Sequence, residues 1–219
     1  MNAMKTLLAV LMAGLVSMPV LADDKNKKGN NECPVGLVSG MTMDDEFGPG
    51  TQALTNCIKK RHNVKMVVQI NQFCTNQANC ANTPYGLGNI RNMLDDYEVT
   101  HGMTPGKDYE MVVVLHSPGG QMALKDTGVR GDGTTVSGRN PFETTIKGLM
   151  ARGVKFYFCQ NTTRAYLNNL PGTAIQSLPK YLVTGISATD QMIEGMEYTT
   201  AGLTSIADFQ ARGYQYIQP

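Results

Sequence analysis

The chain has 219 residues, 42% of them hydrophobic, and a formal net charge of +1. That length and apolar content suffice for one respectable core. A charge so near zero argues against nucleic acid, whose phosphates are met by a clustered excess of Lys and Arg.

Met1 to Lys5 form a short positive segment, Thr6 to Leu21 are almost wholly apolar, and Val20-Leu21-Ala22 places small residues before a cut. This pattern is that of a secretory signal peptide cleaved after Ala22, so export to the periplasm is expected. The apolar run is short of the ~20 residues a membrane-spanning helix needs, and no later segment reaches that length, so no membrane attachment is expected after cleavage. Residues 23–63 read as a flexible leader, mixed in charge from Asp23 to Lys28, followed by an N-terminal extension without clear period.

In an oxidising compartment disulfides persist. The chain has five cysteines, an odd number. Cys33 with Cys57, and Cys74 with Cys80, are candidate local bridges that would leave Cys159 over, although connectivity is not fixed by sequence.

From Val64 the pattern is regular. Val64 to Ile70 reads as a first strand, and Thr83-Pro84 as the cap and first turn of a helix whose buried face carries Leu87, Ile90, Leu94 and Tyr97. Tyr109 to Leu115 is a second strand, stopped by His116-Ser117-Pro118-Gly119-Gly120. The polar, glycine-rich run Asp126 to Arg139 reads as a long mobile loop. Asn140-Pro141 repeats the cap signature for a helix that buries Phe142, Ile146, Leu149 and Met150 and ends at Gly153. Val154 to Phe158 is a third strand delivering Cys159 to its carboxyl end, with Asn161 or Thr162 able to cap the short helix that follows. Pro171 to Gly185 looks like an insertion. Ser187 to Asp190 resembles a helix start, Glu197 to Thr200 a fourth strand, and Leu203, Ile206 and Phe209 one face of a last helix, which Gly213 stops. Tyr214 to Ile217 supplies a fifth strand.

Strands alternating with single helices call for a mainly parallel five-stranded sheet in a three-layer α/β/α domain over residues 64–219. In such sheets ligands sit at the carboxyl ends of the strands. Chemistry is therefore expected to start at Cys159, because a helix start beside a thiol favours the thiolate, the nucleophilic form. The competing reading is a buried structural cysteine. No Gly-x-Gly-x-x-Gly, P-loop or Gly-x-Ser-x-Gly is present, so nucleotide use and serine hydrolysis lack support and no cofactor is expected.

The phrases Lys65 to Ile70, Val112 to Gly119, Asn140-Pro141-Phe142, Gly153 to Thr162 and Gly213 to Pro219, in this order, resemble the DsrE/DsrF-like proteins, and more closely an exported branch of them. The resemblance covers roughly residues 64–219, interrupted around Pro171 to Gly185. It implies a compact parallel α/β domain that assembles as a homo-oligomer, often a trimer or built from trimers, with sites near subunit contacts. Some relatives pass sulfur between proteins as a cysteine persulfide. Those relay members carry their cysteine near the helix that leads to the third strand. Here Phe142 to Arg152 contains none, and Cys159 remains as the candidate.

The expected site thus comprises Cys159 with His116 and Asn161 in supporting roles, and Thr162, Arg164 and Gly119 as substrate contacts. If the second and third strands are neighbours, His116 emerges beside Cys159, and a Cys–His pair can hold the sulfur as thiolate. Alternatively His116 is simply hydrogen-bonded into a turn. Arg164 could attract an anion such as thiosulfate, or be a solvated helix residue. The expected partner is a small sulfur compound or a partner thiol protein. Two rivals stand beside this reading. One is a non-catalytic oligomeric binding or assembly module. The other is soft-metal (copper) binding through methionines such as Met41 and Met43, although core filling explains most methionines and no zinc spacing is present.

Overall fold

The computed structural model describes residues 62–73, 85–167, 180–182 and 184–219. The expected signal peptide, the candidate bridges of Cys33, Cys57, Cys74 and Cys80, Met41 and Met43, the Thr83-Pro84 cap and most of the stretch from Pro171 to Gly185 lie outside the described residues. In chain order the elements are β1 (Val64–Ile70), α1 (Tyr85–Asp95), β2 (Tyr109–Leu115), β3 (Gly128–Val129), β4 (Thr135–Val136), α2 (Glu143–Ala151), β5 (Lys155–Cys159), α3 (Gln160–Tyr166), β6 (Glu197–Thr199), α4 (Gly202–Ala211) and β7 (Gln215–Ile217). No helix among the described residues is long and apolar enough to cross a membrane.

Five strands form one sheet in the order β6-β5-β2-β1-β7, every neighbouring pair parallel. The sheet's alternation divides its side chains between two cores. Met66, Val68, Ile70, Met111, Val113, Leu115, Phe156 and Phe158 pack with Leu87, Ile90 and Leu94 of α1 and Ile146 and Leu149 of α2. On the opposite face Val67, Val112 and Val114 meet Ile206 and Phe209 of α4, flanked by Tyr157 and Tyr214. Helices on both faces make the expected three layers. Fully burying an aliphatic side chain contributes about 1.5–3 kcal/mol, so the larger cluster dominates and α4 holds the thinner layer.

Four expectations are corrected. The run Asp126 to Arg139 is not a structureless loop: β3 and β4 pair antiparallel within it, Val129 opposite Thr135. Arg139 organises this hairpin, since its Nε donates to Lys125 O at 2.5 Å and its Nη2 to Gln191 O at 3.2 Å. Asn140 is not the cap of α2, which begins at Glu143. Instead Asn140 is fully buried, its amide donating to Met122 O at 2.9 Å and Leu124 O at 2.7 Å while its Oδ1 accepts from Phe142 N at 3.2 Å. Leu203 does not join the buried face of α4, being 67% exposed while Ile206 and Phe209 are buried. Ser187 to Asp190 opens only a single tight turn, Thr189–Gln191, with the Asp190 amide donating to Ser187 Oγ at 3.3 Å.

Candidate active site

β2 stops where the chain must turn under the end of β1. The His116 amide donates to Ile70 O at 3.1 Å, and Ser117 then takes a positive φ of 52°, a strained conformation for a residue with a Cβ. Gly119 follows because a Cβ there would run into the carbonyl oxygen of Ile70. That gives Gly119 a packing reason of its own. The following segment, Ser117–Ala123, lies against α3: a Cβ on Gly120 would meet Thr162 Cγ2 at 3.1 Å, and Thr163 Oγ1 donates to Gly120 O at 3.0 Å.

β2 and β5 are neighbours, with Leu115 opposite Phe158, so His116 and Cys159 follow one step later at the same edge. Their side chains nevertheless find other partners. Gln69 Nε2 donates to His116 Nε2 at 2.6 Å, and His116 Nδ1 donates to Ser117 Oγ at 3.0 Å. Gln69 Oε1 in turn accepts from the Tyr216 hydroxyl of β7. With Nε2 accepting, the imidazole is neutral and its proton sits on Nδ1. Burial also lowers the His116 pKa from its ordinary value. Gly202 closes this corner from above, since a Cβ there would come within 2.5 Å of His116 Cβ. The expected Cys–His pair is therefore corrected: both imidazole nitrogens are engaged by β1 and by the turn, drawn there by a tyrosine from the far end of the chain.

Cys159 carries a free thiol and is 5% exposed. Its Sγ accepts from the Thr162 hydroxyl at 3.5 Å and lies 3.9 Å from Thr200 O, to which the thiol can donate. Cys159 itself is the residue preceding α3, so Asn161 and Thr162 lie inside the helix and neither caps it. Asn161 is half-buried there. Arg164 is 6% exposed, which overturns its reading as a solvated helix residue. On the other side of Cys159, β6 places Thr199 directly opposite in register. The Thr199 hydroxyl is buried and has no hydrogen-bond partner among the described residues.

Gln69, Thr199, Gly202 and Tyr216 escaped the sequence reading. Gln69 alone carried a signal, as a polar residue inside an otherwise apolar central strand. The other three depend on pairings that no local pattern reveals.

A parallel three-layer α/β domain with a free thiol at the carboxyl edge of its sheet is the class defined by these features. The DsrE/DsrF-like family profile matches residues 79–219, and the chain belongs to that family. No curated protein matches the chain. Among solved structures, a protein of unknown function from Methanobacterium thermoautotrophicum is similar at 20% identity and a TM-score of 0.45, over 72% of this chain and 100% of that one.

Proposed function

We propose that this is an exported DsrE-like protein that handles sulfur compounds, with Cys159 as the sulfur-accepting thiol. The observation carrying this reading is the surroundings of that sulfur. A free thiol at the carboxyl end of β5 has one hydroxyl, Thr162, donating to it and a second, Thr199, lying unpartnered beside it in register. An added outer sulfur would give the Thr199 hydroxyl an acceptor.

In the proposed step the Cys159 thiol first yields its proton to solvent. The thiolate attacks the outer sulfur of a persulfide, R–S–SH, carried by a small compound or by a partner thiol protein. The donor's S–S bond breaks as a new one forms on Cys159, R–S⁻ leaves, and no net oxidation occurs. At 5% exposure, with Thr200 O 3.9 Å from the sulfur, the buried thiol has to become accessible before it reacts. His116 supports the site by ordering the edge through Gln69 and Ser117, the Thr162 hydroxyl donates to the sulfur, and Asn161 lies in the first turn of α3. Removal of a leader ending at Ala22 and assembly as a homo-oligomer, trimeric or built from trimers, complete the reading. The exposed Leu203, which directly follows Gly202, is available to such a subunit contact.

A second reading is favoured by the same burial: a non-catalytic oligomeric binding or assembly module in which Cys159 is packing. Incubating the folded mature chain with a persulfide donor and weighing it intact separates the two. Gain of one sulfur atom, lost in Cys159→Ser, is the expected result, with light scattering on the same sample giving a mass that is a multiple of three chains. A thiol that neither gains sulfur nor alkylates until the chain is denatured would overturn the first reading in favour of the second.

A further inference from the structure

Apart from the Cys159 edge, a cavity of about 190 Å³ is lined by Gln121, Leu124, Arg130, Arg139 and Tyr166. It is smaller than the ~300–1,000 Å³ typical of sites for drug-sized ligands. Two guanidiniums share it. Among the described residues neither Arg130 nor Arg139 forms a salt bridge with a carboxylate. The nearby acids are committed elsewhere: Asp126 accepts from the amides of Gly138 and Asn140, Glu143 accepts from the Asp126 amide and Lys147, and Asp132 accepts from the Thr134 amide.

The Arg139 guanidinium is held in place mainly by backbone carbonyls. Arg139 donates to the carbonyls of Lys125, Val129 and Gln191 and to Gln191 Oε1. These bonds use four of the five N–H groups of a guanidinium and leave one on Nη1. Gly128 is required for this arrangement, since a Cβ there would collide with Arg139 Nη2 and Gln191 Oε1. Arg130 is brought to Tyr166 because the Gly131 amide donates to Leu167 O at 2.6 Å, fastening the hairpin to the end of α3. Burial lowers the Arg139 pKa and the Arg130 charge acts in the same direction, whereas Asp126 and Glu143 raise it. A guanidinium partly withdrawn from water, as Arg139 is, has lost solvation that a bound anion would replace.

We infer that this pocket binds a small tetrahedral oxyanion, with Arg130 and Arg139 clamping its charge and the Tyr166 hydroxyl and the second N–H of the Gln121 amide, whose first donates to Arg139 O at 2.8 Å, available to its remaining oxygens. The site is independent of the chemistry proposed at Cys159.

Calorimetric titration of the full mature chain with sulfate and with phosphate at low ionic strength tests it. Saturable one-to-one binding is expected, weakened about tenfold in Arg130→Gln, whose exposed side chain contributes little to folding, and severalfold in Tyr166→Phe. Cys159→Ser should bind sulfate as the parent does, so failure of the sulfur reading and failure of this one are told apart. Heats that do not saturate, an affinity unchanged by Arg130→Gln, or chloride binding as tightly as sulfate would each overturn the inference.

Discussion

Thr199 is the residue whose chemistry is least explained by folding. A buried hydroxyl without a partner costs about 1–3 kcal/mol relative to one that is satisfied, and valine would fill nearly the same volume without that cost. Thr199→Val is therefore expected to raise stability by about 1 kcal/mol, read from the urea midpoint, while lowering the extent of sulfur uptake on Cys159. A purely structural threonine would give the first effect without the second. At this scale the sequence told half the story. It placed Cys159 and His116 at one sheet edge, which follows from alternation and strand order, but it could not tell where the imidazole points. That direction is set by Gln69 and by Tyr216, separated from each other by 147 positions.

At the scale of elements, the strands and helices of the core were legible because their apolar periods are long and uninterrupted. β1 and β2 have the boundaries expected from Val64 to Ile70 and from Tyr109 to Leu115. The glycine-rich run after β2 was not legible, since its order comes from a side chain, Arg139, bonding to carbonyls from three separate stretches of backbone. Asn140 belongs to the same class of long-range fastening. It joins the segment around Met122 and Leu124 to the start of α2, and its loss leaves two buried carbonyls without their donor. Asn140→Ala is expected to destabilise the fold by about 2–4 kcal/mol in urea denaturation. A change of under ~0.5 kcal/mol, the range of ordinary surface substitutions, would show that the link carries no weight.

For the whole molecule, the neutral His116 ties stability to pH. Its folded-state pKa is lowered by burial, so below the ordinary value of 6.5 the unfolded chain takes up a proton that the folded chain refuses. Stability should be at its plateau above that value, fall as the pH drops toward the folded-state pKa, and level off below it. Protonation would also set an N–H of the ring against the Gln69 amide, which donates to the same nitrogen. The urea midpoint is accordingly expected to drop between pH 7.5 and 5 more steeply in the parent than in His116→Gln, values chosen to span the ordinary His range. Equal slopes would place the acid sensitivity elsewhere. Asp108, whose carboxyl is held below its usual range by the Thr104 amide and by His62, titrates under that window.

The two outermost strands, β6 and β7, are each only three residues long. A margin that brief exposes too few unpaired amides and carbonyls to template the backbone of another chain, and natural proteins use such truncation to prevent ribbon-like self-association. In the proposed oligomer, copies of this protein would therefore recognise one another through protruding side chains, not by extending the pleated array. An extended peptide offered as a sixth strand should find no purchase.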